Sequence, residues 1–564
     1  MIQPDKGIRT NPFCARIRLY DTVRNHRTEQ EFIMLIALTS VLLVCFFALM
    51  IFVGFRCRKH ATDVNGFVLG GRNVGPWLTA FAFGTSYFSA VIFVGYAGQF
   101  GWNFGLASTW IGLGNAFIGS LLAWEILGRR TRVMTRHLDT KTMPDFFEKR
   151  YQSKGLKIAA SIIVFVFLIP YTASLYNGLS SLFNIVFTIP YWIVIVVMAI
   201  LTAVYVIFGG YMATAVNDFI QGIIMLIGII AVVISVLMNR GGFSEAVSKL
   251  SAEAAPLPGG PVLNGAYTSF FGPHPFALLF VVLLTSLGTW GLPQMVGKFY
   301  SIKNEDAIKK GTIISTFFAI VVAGGCYFLG GFGRLFADSE FIRHKEDGTL
   351  LFDSIIPAML RELPDLIIAI VIVLVLAASM STLSSLVLTS SSTLTLDVIV
   401  PASKKEVDEK KKVTIMRIFI LFFVVISAVL AILKDSLNIT FIAQMMGVSW
   451  GALAGAFLAP FLYGLYSKKI SKGAVGTCFV FAILVTVIQL LCSFKVISFS
   501  GEVLGFIFKS SINSGVVSMV GGLILVPIVS LFTKKPDKES VEGMFACYDE
   551  TVTAQIKRKE RLDD

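Results

Sequence analysis

The sequence predicts an all-α polytopic membrane protein with 13 transmembrane helices, and three observations lead to this fold class. Of its 564 residues, 55% are hydrophobic and only 15% are charged, whereas soluble domains usually carry about 25% charged residues. Its 49 glycines agree with this class, because Gly is more frequent in membrane helices than in soluble ones. Apolar stretches of roughly 20 residues, the length that crosses a bilayer, recur along the chain. They lie near 32–55, 77–98, 103–128, 157–179, 188–208, 212–239, 275–298, 312–335, 364–396, 414–433, 438–466, 473–494 and 510–532.

The motifs of several other function classes are missing from the sequence. The five histidines are scattered without metal-ligand spacing, and the seven cysteines contain no CxxC pair. No Walker loop, GxSxG elbow or HExxH motif occurs. We therefore expect no enzyme activity and no cofactor. The net charge of +13 would suit a nucleic-acid partner, so the distribution of the basic residues has to be considered.

The basic residues predict how the chain is oriented in the membrane. With the N-terminus outside, most of the 48 Lys and Arg residues fall in cytoplasmic loops and in the C-terminal tail. The loop 129–157 and the run 404–412 are the strongest anchors, whereas the longest external loop, 336–363, is acidic. This is the positive-inside pattern. We expect a multi-pass plasma membrane protein with an external N-terminus, a cytoplasmic C-terminus and no nucleic-acid partner.

Three segments of different character divide the chain. Residues 1–33 carry several Arg residues on the side predicted to be external and lack an apolar segment of their own. We interpret them as a disordered extension, or as a consequence of a start site that in fact lies at Met34. Residues 34–532 form the membrane domain, and 533–564 form a cytoplasmic tail. Within the membrane domain, 77–239 and 275–466 are the predicted repeats.

Two of the predicted spans contain helix-breaking sequences. The second span reads GTSYFSA at 84–90, and the seventh reads TSLGTWGLPQ at 285–294. These spans are five helices apart, as an internal five-plus-five repeat requires. Broken helices at corresponding positions of two repeats mark the binding site of secondary transporters. A packing kink is the alternative, because Gly and Pro also occur in ordinary membrane helices.

The ninth span is unusually rich in hydroxyl groups. Ala378, Ser381, Thr382 and Ser385 fall on one helical face. Hydroxyls and unwound carbonyls can coordinate a hard cation such as sodium without an added charge, although Ser and Thr also serve as small packing residues. The hydroxyl residues between 379 and 395 are Ser379, Ser381, Thr382, Ser384, Ser385, Thr389, Ser390, Ser391, Ser392, Thr393 and Thr395.

Asp218 is the one acidic side chain predicted to lie well inside a span. An intramembrane carboxylate costs about 2.5–3.5 kcal/mol on insertion scales and is a functional candidate by default. A structural hydrogen bond to a neighbouring helix is the alternative. We expect Glu125 and Asp397 to lie at cytoplasmic helix ends within reach of water. No Arg or Lys is expected inside a span.

At four motifs the sequence resembles the sodium:solute symporter family, which includes bacterial proline and sialic acid transporters and animal glucose transporters. The resemblance covers roughly residues 60–500. It implies the inverted-repeat, LeuT-like fold, with a core of ten helices, one helix before it and two after it. The motifs are GGR at 70–72, GTSYFS at 84–89, GGY…NDFIQ between 209 and 221, and ASMSTLS at 378–384.

The resemblance also implies which residues bind sodium. The main sodium site would use the carbonyls of Thr85, Phe88 and Ala378 with the hydroxyls of Ser381 and Thr382. A second candidate sodium site, present in some members, would use Asp218, Ser381, Ser384 and Ser385. The residues that we expect to line the solute cavity are Ser89, Tyr171, Thr289, Trp290 and Gln294.

The function implied is sodium-coupled import of a small organic solute by alternating access, with Na⁺ and the solute as partners. The proline branch is closest in appearance, so an amino acid such as proline is the first expectation. That branch has an Asp where Tyr87 stands, and Trp and Tyr where Thr285 and Thr289 stand. A sugar, sialate or monocarboxylate, and a transporter-like membrane sensor, remain alternatives.

Overall fold

The computed structural model describes residues 29–187, 189–256, 262–345, 348–403, 406–433 and 442–560. The described chain is helical apart from one short antiparallel pair of strands, Ala255–Pro256 with Val262–Leu263. The α-helices are Glu29–Cys57, Val64–Leu69, Pro76–Tyr87, Ala97–Phe104, Thr109–Gly114, Arg129–His137, Met143–Tyr151, Lys154–Val186, Tyr191–Asn239, Phe243–Ala252, Pro275–Leu287, Pro293–Ser301, Glu305–Ala319, Gly325–Gly330, Ile355–Arg361, Asp365–Thr393, Val400–Ala402, Glu409–Leu433, Ile442–Tyr466, Lys472–Ser493, Glu502–Lys509, Ser511–Phe532 and Lys538–Glu560.

Shorter 3₁₀ and π-helical turns join several of these helices into continuous rods. Among them, a π-helix at Val91–Tyr96 precedes Ala97–Phe104, and another at Asn115–Leu122 follows Thr109–Gly114. A 3₁₀ turn at Gly288–Gly291 extends Pro275–Leu287. Because π-helical and 3₁₀ turns occur mostly as short local departures from an α-helix, their positions mark where the regular α-helical winding is interrupted.

Within the described residues, ten helices are long and apolar enough to cross a membrane, or 11 when one bent pair is counted as a span. The sequence predicts 13. Two helices explain most of the difference, because Val91–His137 has 47 residues and Trp192–Asn239 has 48. A straight helix of this length would span roughly 70 Å at 1.5 Å per residue, more than twice the hydrocarbon core of a bilayer, but neither stretch is straight, because each contains a non-helical glycine. Inside these two rods, Gly105 and Gly210 have left-handed backbone angles, with φ of 61° and 54°.

Two helices occupy the centre of the bundle. We call Asp365–Thr393 the hydroxyl-rich helix, and in it every residue from 371 to 388 is buried. The other central helix is Ile442–Tyr466, which packs extensively on Ser511–Phe532. Its Gly451 lies against Gly515, where an added Cβ would come within 3.0 Å of a backbone atom. Small residues allow such close approach, which is how membrane helices gain packing energy without a hydrophobic driving force.

Asp397 does not lie in water, contrary to the sequence expectation. It is 1% exposed, accepts a hydrogen bond from Thr142 Oγ1 at 2.6 Å, and has Lys157 Nζ 3.6 Å from its carboxylate. The helix Met143–Tyr151 packs over this ion pair. Two of its carboxylates also contact Lys157 Nζ, Asp145 at 3.1 Å and Glu148 at 2.8 Å. Glu125, by contrast, is exposed as expected.

The ends of the described chain are helical. The first helix begins at Glu29, before Met34, and residues 1–28 of the predicted extension lie outside the described residues. The tail contains the helix Lys538–Glu560, which packs on Arg129–His137. The Arg130 guanidinium lies between the rings of Tyr466 and Tyr548, 4.1 and 4.7 Å from their centroids. Burial raises the pKa of Tyr548, so this ring stays neutral against the bundle.

Replacing Lys157 by Met should destabilise the protein by about 3 kcal/mol or more, because it leaves Asp397 buried without its counter-charge. Thermal unfolding of the purified protein in detergent measures the change. Lys154→Met, one turn earlier at an exposed position, is the matched control and should unfold like the wild type. Equal losses in the two variants would show that the buried cluster does not depend on Lys157.

Candidate ion site

The second predicted span is broken where the sequence placed the break. The helix Pro76–Tyr87 ends at Phe88, whose backbone is extended with φ −83° and ψ 120°. Hydrogen bonding resumes in the π-helix that begins at Val91. A break of this kind leaves carbonyl groups without intrahelical partners. In a membrane protein such backbone is tolerated only where it is buried in protein or lines a cavity.

The seventh predicted span is broken in the same way. Its two parts, Pro275–Gly291 and Pro293–Ser301, are bent by 46°. Leu292 lies between them with φ −85° and ψ 120°, almost the conformation of Phe88. The missing N–H of Pro293 at the start of the second part makes this geometry favourable, because the first turn of a helix needs no such donor.

The five oxygens of the main predicted site lie together. Thr382 Oγ1 lies 3.1, 3.3 and 3.2 Å from the carbonyl oxygens of Thr85, Phe88 and Ala378, and its one hydrogen can be donated to any of them. Ser381 Oγ lies 3.2 and 3.1 Å from those of Thr85 and Ala378. All five residues are buried. The hydroxyl-rich helix is thereby joined to the break in the second span.

This set of oxygens has the chemistry of a site for a hard monovalent cation. It contains three carbonyl and two hydroxyl oxygens and no charged group. Each hydroxyl has lone pairs that can turn towards a cation when its hydrogen rotates away. In the part of the chain that the structure describes, no group of three or more His, Cys, Asp and Glu residues could hold a metal ion. Three carbonyl and two hydroxyl oxygens without a charged ligand suit a weakly held hard cation that enters and leaves.

Asp218 has a partner that the sequence expectation excluded. Lys298 is 3% exposed, and its Nζ lies 3.6 Å from Asp218 Oδ2. The same Nζ donates to Ser385 Oγ at 3.0 Å. The expectation of no buried basic residue in a span was thus wrong. Residue 298 ends an apolar stretch, and a Lys side chain is long enough to reach back into the bundle.

The remaining residues of the second candidate site lie on the hydroxyl-rich helix. Ser384 Oγ donates to the Ser381 carbonyl at 2.9 Å. Ser385 Oγ is shared between Lys298 and Ser86 Oγ, which is 2.8 Å away. Ser86 adjoins Thr85, whose carbonyl belongs to the five-oxygen set. The two candidate sites are therefore neighbours.

The polar residues beside Asp218 face another helix. Asn217 Nδ2 donates to the Met50 carbonyl at 3.4 Å, and Gln221 Nε2 lies 3.3 Å from Met50 Sδ. These contacts tie the sixth predicted span to the first. The structural hydrogen bond considered for Asp218 is thus made by its neighbours, while the carboxylate itself faces Lys298.

The residues expected to line the solute cavity are spread over different places. Gln294 lines a cavity of about 50 Å³ together with Lys298 and Ser385. Thr289 lines a separate one of about 10 Å³ beside Tyr87. Trp290 Nε1 donates to the Ile118 carbonyl at 3.0 Å. The larger cavity also touches Lys141, so it opens towards the side that the charge pattern predicts to be cytoplasmic.

An aromatic cluster lies close to both breaks; it contains Tyr171, which the sequence analysis expected to line the solute cavity, and Trp450, which sequence reasoning missed. The Trp450 ring packs against the rings of Tyr87 and Tyr171, with centroids 6.3 and 6.1 Å apart. An added Cβ at Gly288 in the seventh span would come within 3.1 Å of this indole. The position of Trp450 in the middle of a predicted span could have pointed to this cluster, because Trp residues of membrane proteins concentrate at the two membrane interfaces.

Several polar atoms of this cluster are buried without a hydrogen bond. They are the Tyr87 and Tyr171 hydroxyls, the Ser89 hydroxyl and Trp450 Nε1. Buried polar groups of folded proteins are nearly always paired, and each exception needs an explanation. Among the described residues, Tyr171 is also close enough to Ser89 and Trp450 to interact with their polar atoms, so the cluster offers several hydrogen-bonding groups in one place.

An apolar helical bundle with two broken helices around an uncharged oxygen cluster is the architecture of an ion-coupled secondary transporter. The chain belongs to the sodium:solute symporter family, whose model matches residues 67–480. It is therefore a multi-pass membrane transporter and not an enzyme.

Curated relatives cover almost the whole chain. The osmoregulated proline transporter OpuE of Bacillus subtilis is 28% identical over 503 residues, covering 88% of this chain and 95% of the relative. A sodium/proline symporter of Staphylococcus aureus is 27% identical, with 88% and 93% covered. A solved Na⁺-coupled sialic acid symporter in a substrate-bound outward-open state superposes with a TM-score of 0.71 at 16% identity. That structure spans 89% of this chain and 98% of its own, and it supports the fold.

Gly291 should tolerate no side chain. A Cβ there would come within 2.9 Å of backbone atoms of Ala454 and Leu458, which cannot move without shifting the central helix Ile442–Tyr466. Gly291→Ala should lower the free energy of unfolding by about 1–3 kcal/mol.

The matched control is Gly297→Ala, beyond the break, where an added Cβ meets no atom within 4 Å. It should be neutral or slightly stabilising, because Ala favours a helix over Gly by about 1 kcal/mol. Thermal unfolding in detergent compares the two variants. If both glycines tolerate Ala equally, the break is not packed against the central helix as described.

Proposed function

We propose that this protein is a sodium-coupled symporter that imports a small organic solute by alternating access. The observation that carries the proposal is the convergence of five buried oxygens, on Thr85, Phe88, Ala378, Ser381 and Thr382, at the break of the second span. Membership of the sodium:solute symporter family supports sodium as the coupling ion. No step requires a covalent intermediate or a cofactor.

Sodium binding at this position would link two parts of the bundle. The ion would replace the hydrogen bonds that now join the hydroxyl-rich helix to the broken second span. It would thus stabilise the arrangement in which the solute pocket is complete, and the solute would in turn raise the affinity for sodium. Such reciprocal stabilisation is what coupling between two ligands means thermodynamically.

The driving force available is sufficient for accumulation. Moving one positive charge through 100 mV yields about 2.3 kcal/mol. A tenfold sodium gradient adds about 1.4 kcal/mol. One sodium ion per cycle would therefore support a solute gradient of roughly a few hundredfold.

We also propose the finer topology, with 13 spans, a five-plus-five inverted repeat, an external N-terminus and a cytoplasmic C-terminus. Three observations support it. Trp192–Asn239 is long enough for two crossings and Gly210 offers the place to divide it, while Gly105 divides Val91–His137 into the end of the broken second span and the whole of the third. The breaks at Phe88 and Leu292 share one backbone conformation. The distribution of Lys and Arg follows the positive-inside pattern.

For the solute we propose an amino acid such as proline, or a related small molecule, bound against Trp450, Tyr87 and Tyr171. The unpaired hydroxyls and the indole N–H of this cluster would serve as hydrogen-bond donors. The curated relatives in Bacillus subtilis and Staphylococcus aureus carry proline in their names.

Removing one hydroxyl ligand should weaken sodium binding strongly. Thr382→Val keeps the shape of the side chain and deletes Oγ1, so the sodium concentration for half-maximal thermal stabilisation should rise about tenfold, the equivalent of about 1.4 kcal/mol. Sodium is titrated against choline at constant ionic strength. The control is Thr389→Val, two turns further along the same helix, which should respond to sodium like the wild type. An unchanged midpoint in Thr382→Val would remove the main site from the proposal.

Proline should raise the thermal stability of the purified protein in sodium and should do so much less in choline. Trp450→Ala should abolish the stabilisation by proline, and the stabilisation by sodium in the absence of proline should stay unchanged. The measurement is a thermal-shift series with L-proline, a sugar, sialic acid and a monocarboxylate. A sodium-dependent shift with another of these molecules, and none with proline, would overturn the solute assignment and leave the sodium site standing.

A further inference from the structure

The ammonium group of Lys298 lies where the second candidate site would hold a cation. Lys298 follows the break of the seventh span, and its Nζ contacts Ser385 Oγ at 3.0 Å and lies 3.6 Å from Asp218. The ring of Tyr211 is 5.3 Å from the same atom. A carboxylate, a hydroxyl and an aromatic face are three groups that favour a positive charge.

We propose that Lys298 is a tethered cation that permanently takes the place of a second sodium ion, so that the protein binds one Na⁺ per chain. This inference rests on the proposed function, because it assigns the single ion to the five-oxygen set. Asp218 and Ser385, which the second candidate site would offer to sodium, are engaged by the ammonium group. A sodium ion beside them would be repelled by a like charge a few ångströms away.

The burial of the pair supports this assignment. Asp218 is fully buried, and neither of its carboxylate oxygens has a hydrogen bond within 3.5 Å among the described residues. An isolated charge in such a place is expensive unless an opposite charge accompanies it. Lys298 supplies that charge from within the chain, so the folded protein does not need an ion from solution at this position.

The cavity geometry explains why the lysine would keep sodium out. Lys298 and Ser385 line the cavity of about 50 Å³, whereas Asp218 lies behind them and is not part of its lining. An ion that enters this cavity therefore meets the ammonium group before the carboxylate. The lysine closes the way to Asp218 by charge as well as by volume.

The lysine also contributes to the joining of the broken spans. Lys298 belongs to the seventh span, Ser385 to the hydroxyl-rich helix and Ser86 to the second span, and their polar atoms form a chain with steps of 3.0 and 2.8 Å. Ser86 is adjacent to Thr85 of the main site. The tethered cation therefore does structurally what a second sodium ion would do, without drawing on the gradient.

The test is the stoichiometry of ²²Na⁺ binding to the purified full-length protein, measured by scintillation proximity without any solute. The wild type should bind one ion per chain. Lys298→Gln frees Asp218 and should bind two. The double variant Lys298→Gln/Asp218→Asn loses the carboxylate again and should return to one.

The outcomes separate this inference from the proposed function. Two ions per wild-type chain, or one ion in a folded Lys298→Gln variant, would overturn the tethered cation. No binding to the wild type would instead defeat the proposed sodium site. If Lys298→Gln does not fold, ²²Na⁺ binding to the Thr382→Val variant tests the tethered cation instead. At the wild type's half-saturating concentration, loss of most of the bound ²²Na⁺ supports one site, whereas retention of about half of it reveals a second sodium ion and overturns the inference.

Discussion

The contact between the hydroxyl-rich helix and the broken second span is the interaction on which the rest of the structure depends. A break at membrane depth frees carbonyl groups, and each unsatisfied group costs several kcal/mol in a medium without water. The hydroxyls of Ser381 and Thr382 lie within hydrogen-bond distance of the two carbonyls at the break, those of Thr85 and Phe88, and each hydroxyl has one hydrogen to donate. The break in the second span is therefore tolerated only because the hydroxyl-rich helix is buried beside it. The same oxygens are what a sodium ion would use.

Two buried ion pairs follow the same logic as this contact. Lys298 accompanies Asp218, and Lys157 accompanies Asp397, with each carboxylate at 1% exposure or less. Both lysines come from other segments than their partners and approach from the side predicted to be cytoplasmic. The hydroxyl-rich helix contributes Ser385 to the first pair and leads directly into Asp397 of the second. Neutral oxygens thus hold the helix at its centre, and paired charges hold it further along.

The sequence was informative where physics demands a particular residue type, and less so where packing decides. The breaks at Phe88 and Leu292 follow from Gly, Pro and hydroxyl residues, and the family resemblance implied which carbonyls the hydroxyl face of the ninth span contacts. The place of Lys298 could not be read from the sequence, because the reach of a flexible side chain depends on which helix lies beside it. Asp397 was misjudged because the helix that covers it is distant in sequence. The number of spans could not be read with certainty either, since whether Gly105 and Gly210 divide their rods depends on tertiary packing.

The second span and the first half of the seventh span are held by different partners, and under the proposed function this difference lets sodium act on the second span. In the seventh span, Thr289 Oγ1 and Trp290 Nε1 donate to the carbonyls of Gly119 and Ile118, so its first half is fastened to the third predicted span by neutral hydrogen bonds. The second span is fastened to the hydroxyl-rich helix by the oxygens that would bind the ion. An ion can shift a conformational equilibrium only through contacts that differ between the two states. If the broken spans move as one body relative to the hydroxyl-rich helix, the five-oxygen set lies at the joint between the moving parts. Sodium bound there would stabilise the closed joint, and its release would permit the movement.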